Sequence, residues 1–180
     1  MFNVVILSGS LSPSSYTNKA VKLLEDELKS YDSIHYELFS SELSQLPFPG
    51  LSDTPSDFQK ALVGKVTAAH GLIIATPEYH GSFSSLLKLV VENLGYPSAL
   101  NGKPVALLGV AGGSAGATKS IEKLQSVCWH TGAQVLPNPV SISNSYSAFN
   151  ESGELNNPKN QDRIASFAYS FTQYIKAASI

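Results

Sequence analysis

Short apolar runs and helical stripes alternate along this chain. Val4-Val5-Ile6-Leu7 is a mostly β-branched run, too short for a helix and closed by Ser8-Gly9, which predicts a buried strand. Ala20, Val21, Leu24 and Leu28 then recur at helical spacing. Ile34 to Phe39 alternates as a second strand. Ser41 to Pro55, with three prolines and a glycine, predicts an irregular connection. Phe58, Leu62, Val66 and Ala69 mark the next helix, and Gly71 to Thr76 the third strand. Phe83, Leu86, Leu87, Val90, Val91 and Leu94 give the cleanest helical period, stopped by Gly95, Tyr96 and Pro97. Pro104 to Val110 is a fully apolar fourth strand. Ala117 to Trp129 is a helix with Ile121, Leu124 and Cys128 on one face, and Ala133 to Leu136 is a fifth strand broken by Pro137 and Pro139. Ser141 to Asn160 reads as a long ordered loop. Ile164, Phe167, Phe171, Tyr174 and Ile175 define a closing helix.

Strand followed by helix, five times over, with strands apolar on both faces, demands a parallel sheet covered on both sides. Five strands suggest the doubly wound, flavodoxin-like order 2-1-3-4-5 in one α/β domain over residues 1–180, without repeats or linkers. Ligands of such sheets sit beyond the carboxyl ends of the strands. That singles out Gly9 to Thr17, Pro77 to Ser82 and Ala111 to Gly116. In the first, a buried strand feeds a hydroxyl-rich loop and a helix start, so free amides and the positive end of a helix dipole meet at one point. A phosphate site and an ordinary serine cap both fit that arrangement. In the second, Ser82 is placed to cap the following helix, and Gly81 lets the backbone approach a flat ligand closely.

The chain has 180 residues, is 43% hydrophobic and carries a formal net charge of −2, which gives no electrostatic reason for a nucleic-acid or anionic-membrane partner. No run is long enough to span a membrane, no secretory signal opens the chain, and the cytoplasm is the expected location. Cys128 is the single cysteine and reads as a core residue, so neither an intrachain disulfide nor a cysteine metal cluster is expected. The four histidines show no ligand spacing, and no metal is expected. Gly112-Gly113-Ser114-Ala115-Gly116 fits the G-x-S-x-G pattern of hydrolases, but the downstream His130 and Glu122 share one predicted helix. At ~1.5 Å per residue that helix carries His130 some 20 Å from Ser114, too far for a relay. A P-loop fails because Thr118 stands where its second glycine must be, and no G-x-G-x-x-G occurs in the first loop.

Gly9-Ser10-Leu11-x-x-x-Ser15, Pro77-Glu78-Tyr79-His80-Gly81-Ser82 and Ala111-Gly112-Gly113, at this spacing, together resemble the NADPH-dependent FMN reductase family, which includes azoreductases, quinone reductases and chromate reductases. The likeness extends through Phe149-x-x-x-Gly153-x-Leu155 to the closing helix. It implies a flavodoxin-like fold and FMN bound by Ser10, Leu11, Ser15 and Thr17 at its phosphate. It also implies that Pro77, Glu78, Tyr79, His80 and Gly81 flank the ring, that Ser82 stands beside them, and that Gly112 and Gly113 meet the other edge. Tyr79 and His80 would shape the pocket over the ring. Members commonly carry Arg where this chain has Ser12, and Asn where it has Thr17. The resemblance implies a homodimer or homotetramer in which NADPH or NADH delivers hydride by way of the flavin. The acceptor would be a quinone, azo compound, metal oxyanion or free flavin. The flavin carries that chemistry, so no catalytic side chain is expected. A flavodoxin-like electron carrier and a flavin-free binding module on the same scaffold are the alternatives.

Overall fold

The computed structural model describes residues 1–51 and 53–178. Its strands are β1 (Phe2–Ser8), β2 (Ile34–Phe39), β3 (Gly71–Pro77), β4 (Pro104–Val110), β5 (Gln134–Val135) and β6 (Val140–Ile142). All are paired in parallel in the order β2-β1-β3-β4-β5, with β6 also on β4. Around this sheet lie α1 (Tyr16–Leu28), α2 (Asp57–Ala68), α3 (Ser85–Asn93), α4 (Thr118–His130), the single turn α5 (Ser145–Ala148) and α6 (Pro158–Ala178). The strand order is the one expected from the sequence, and so are the helices on both faces.

Alternate residues of each strand feed two cores. Val5, Leu7, Leu72, Ile74, Val105 and Leu107 meet Leu62 and Val66 of α2, Leu87 and Val90 of α3, and Ile121, Leu124 and Cys128 of α4. Val4, Ile6, Ile73, Ala106 and Leu108 face the other way, onto Val21, Leu24 and Leu28 of α1 and Ile164, Phe167 and Phe171 of α6. Because successive side chains of a strand point to opposite faces, a strand buried on both sides must be apolar throughout. That is why β3 and β4 read as unbroken hydrophobic runs.

Three expectations need correction. The segment 141–160 is not one loop. Pro137 and Pro139 interrupt the fifth strand because they lack an N–H for the ladder, and Asn138 between them turns with φ 61°. Pairing on β4 then resumes at β6, where Leu108, Gly109 and Val110 face Val140, Ser141 and Ile142. Beyond it come α5 and an antiparallel bridge between Phe149 and Leu155. Second, α3 is capped by Ser84, whose Oγ accepts from Leu87 N, and not by Ser82. Third, the irregular stretch 41–55 contains a 3-10 turn over Ser41–Gln45 that buries Leu43; Ser52 of this stretch lies outside the described residues.

Candidate active site

The carboxyl ends of β1, β3, β4 and β6 open into one crevice of about 260 Å³. Ser10, Ser15 and Thr17 line it from the first loop, Pro77, Glu78 and Tyr79 from the second, and Gly112 from the third. A second hollow of about 280 Å³ shares Ser10 and Tyr79 with it and adds Leu11. Among the residues expected at the site, His80, Gly81, Ser82 and Gly113 line neither space.

The first loop is held open by one side chain. Asn18 Oδ1 accepts from Ser8 Oγ at 2.5 Å, while Asn18 Nδ2 donates to Ser12 O at 2.7 Å and more weakly to Ser10 O at 3.4 Å. With its carbonyls drawn toward Asn18, the loop leaves the amides of Ser10, Leu11 and Ser12 without a protein acceptor among the described residues. At the start of α1, Ser15 Oγ takes only the Asn18 amide, so Tyr16 and Thr17 keep theirs. Backbone donors, three hydroxyls and a helix dipole thus converge on one spot, the composition of an anion site.

The start of α4 is built the opposite way. Its N-cap is Ala117, which has no side-chain acceptor. Two outside groups serve it instead: Ser141 Oγ accepts from Ala117 N at 2.9 Å and Glu78 Oε2 from Ser120 N at 3.1 Å. The carboxylate of Glu78 therefore occupies the positive end of the α4 dipole, which favours a negative charge there. Of these two helix starts, α1 offers open donors and α4 is plugged by the chain itself.

The second loop is a tight hairpin. Tyr79 N–H donates to Ser82 O at 2.9 Å and Ser82 N–H to Tyr79 O at 3.0 Å, around His80 at φ 49° and Gly81 at φ 69°. Two central residues in the left-handed region define a type I′ turn, for which glycine is the natural second residue. Ser82 closes this turn through its backbone and lies two residues before Ser84, whose hydroxyl caps α3. Lys123 Nζ donates to Gly81 O at 2.7 Å and, with Glu78, ties the hairpin to α4. His80 and Gly81 amides have no protein acceptor among the described residues.

Two aromatic residues not expected at the site complete the wall. Tyr16 and Tyr146 line the crevice. Tyr16 stacks on Phe149 at 5.6 Å and meets the Tyr146 ring edge-on at 5.7 Å. Tyr146 leans over Gly112 so closely that a Cβ there would lie 2.6 Å from its ring. The loop 111–113 and α5 are joined by Asn144 N–H to Gly113 O at 3.1 Å and Ser145 N–H to Ala111 O at 3.0 Å. The signal that could have found Tyr146 is its place just past the carboxyl end of β6, where the same topological rule applies. Ser114, by contrast, is exposed at the start of the loop-to-α4 turn and His130 lies at the far end of α4, so the hydrolase pattern assembles no relay.

The family model for NADPH-dependent FMN reductase matches residues 2–147. A Staphylococcus aureus FMN-dependent NADPH-azoreductase is 29% identical over 179 residues, covering 95% of this chain and 94% of that protein. Among solved structures, the Paracoccus denitrificans flavoenzyme FerB, an NAD(P)H:(acceptor) oxidoreductase, superposes with a TM-score of 0.85 at 21% identity, covering 98% of each chain. Oxidised flavodoxin 1 from Bacillus cereus does so with a TM-score of 0.66 at 12% identity, covering 96% of this chain and 98% of its own, which shows the flavodoxin-like fold. With the match spanning most of its length, the chain belongs to the NADPH-dependent FMN reductase family and is an FMN-dependent NADPH oxidoreductase.

Proposed function

We propose that this single domain passes the hydride of NADPH, by way of FMN held in the crevice, to a small diffusible acceptor of the quinone or azo class. The observation that carries the reading is the asymmetry of the two helix starts. Open amides and hydroxyls gather at α1, while the one carboxylate lining the crevice, Glu78, is spent on α4. A phosphate dianion fits the first arrangement, because it accepts several hydrogen bonds at once and meets no acid beside it.

In this reading Ser10, Ser15 and Thr17 hydroxyls and the amides of residues 10–12, 16 and 17 hold the phosphate. Leu11 stands beside them in the neighbouring hollow. Pro77, Glu78 and Tyr79 form one wall against the ring. The amides of His80, Gly81, Gly112 and Gly113 are the donors offered to its polar edge. Ser82 acts by closing the turn that presents two of them. Bound FMN supplies the hydride acceptance and release, and the chain supplies binding, orientation and fixed dipoles. The azoreductase relative supports an azo acceptor. Self-association into a homodimer or homotetramer belongs to the same proposal, with exposed Phe48, Leu51 and Tyr96 supplying apolar surface. Use of NADPH supports a cytoplasmic setting. No helix among the described residues is long and apolar enough to cross a membrane.

The test is reconstitution with FMN followed by anaerobic NADPH titration and then addition of menadione. Bleaching of the visible flavin band by NADPH and its recovery with menadione are expected. Bound flavin that NADPH cannot bleach would make the protein a carrier. Absence of FMN fluorescence quenching would make it a flavin-free module.

A further inference from the structure

We infer that Tyr146 selects flat, conjugated acceptors over compact inorganic ones, an inference that rests on the reductase reading above. Tyr146 is 80% exposed, yet its ring is not loose. One side lies over Gly112, close enough that only glycine fits beneath it, and its edge contact with Tyr16 is backed in turn by Phe149. Its helical turn is tied to the glycine loop through the Asn144 and Ser145 amides. The ring is therefore fixed on one side and open on the other. Tyr79, 57% exposed, lines the same crevice from the hairpin.

Shape decides between acceptor classes. Neither the crevice nor the adjoining hollow is lined by a lysine or arginine, and Glu78, the acidic residue lining them, is engaged at the start of α4. The Lys19 ammonium stands over the Tyr16 ring, 5.0 Å from its centroid, and is not among the lining residues. A compact inorganic acceptor gains nothing from the open side of Tyr146, whereas an arene meets preset aromatic surface there. A positioned aromatic ring contributes flat contact area at little entropic cost. Overall, NADPH, a proton and a quinone give NADP⁺ and the hydroquinone, so the acceptor needs only to lie flat and leave.

The experiment uses FMN-reconstituted enzyme carrying Tyr146→Ala or Tyr146→Phe, with menadione and methyl red as flat acceptors and ferricyanide as the compact one. For Tyr146→Ala, KM for the flat acceptors rises about three- to tenfold, the range expected for one aromatic stack. Tyr146→Phe restores it, ferricyanide KM stays put, and the Kd for FMN from fluorescence quenching rises by less than the flat-acceptor KM. Unchanged KM for the flat acceptors overturns the inference. So does an equal rise for ferricyanide, or a matching loss of FMN affinity, which would assign the ring to the cofactor. Those results leave NADPH-driven bleaching of the wild-type flavin intact. Failure of that bleaching overturns the reductase reading itself, and this inference with it.

Discussion

Asn18→Ala isolates the side chain that shapes the proposed phosphate loop. Three hydrogen bonds disappear, but they are not equal. Ser12 O is at an exposed contact, so water replaces the lost donor at little cost. Ser10 O is part-buried and its bond is long at 3.4 Å, worth a fraction of a kcal/mol. Ser8 is fully buried, and its hydroxyl loses the acceptor it holds at 2.5 Å. A buried hydroxyl left without a partner costs about 1–3 kcal/mol. Alanine recovers roughly 0.5 kcal/mol of helix propensity in the first turn of α1. The net loss is about 1–3 kcal/mol, read as a lower urea midpoint for the flavin-free protein, or a fall in Tm of about 2–4 °C per kcal/mol. Adding Ser8→Ala removes the stranded hydroxyl and returns most of that stability, whereas the FMN Kd stays raised, by about tenfold for each 1.4 kcal/mol of loop ordering now charged to binding. If Asn18→Ala left both the urea midpoint and the FMN Kd unchanged, the loop would not be held by Asn18 and the argument for a preformed anion site would fail.

Other substitutions probe other contacts. Ser84→Ala removes the α3 cap and lowers stability by about 1 kcal/mol, whereas Ser82→Ala changes it by less than about 0.5 kcal/mol; equal effects in denaturant melts would contradict the capping assignment. Ser12→Arg places a cation beside the unpaired amides and tightens FMN binding severalfold at low salt, an effect that shrinks as salt rises; a salt-independent Kd would contradict it. Gly81→Val forces a β-branched residue to φ 69° and abolishes FMN binding while the two cores persist, so normal flavin occupancy would remove the hairpin from the site. Burial pushes the Cys128 thiol up to about 12, above its value in the unfolded chain. The stability contributed by the neutral thiol is therefore complete below the unfolded value. It is lost as pH climbs toward 12, by up to about 1.4 kcal/mol per pH unit. Urea midpoints across alkaline pH fall more steeply for the wild type than for Cys128→Ala; parallel slopes would contradict this burial.

The sheet order and the two-sided helical cover were legible because they follow from local pattern. Unbroken apolar runs at 4–7, 71–76 and 104–110 admit only buried strands, and Ala20, Val21, Leu24 and Leu28 admit only an amphipathic helix. The positions of three of the loops followed from strand direction alone. What the sequence could not disclose depends on which partner a polar group finds. Glu78 lines the crevice, and the fold also brings its carboxyl to an α4 start that Ala117 cannot cap, a second partner that its sequence position does not reveal. Ser82 looked like a cap until the turn at His80 and Gly81 put the helix start two residues further on, at Ser84. The return of the chain to β4 at 140–142 is a long-range pairing that two nearby prolines disguise, and with it went the placement of Tyr146. Hydrophobic period is written in neighbouring residues, whereas hydrogen-bond partnership is settled between residues tens of positions apart, as Glu78 and Ser120 are, and only the folded chain decides it.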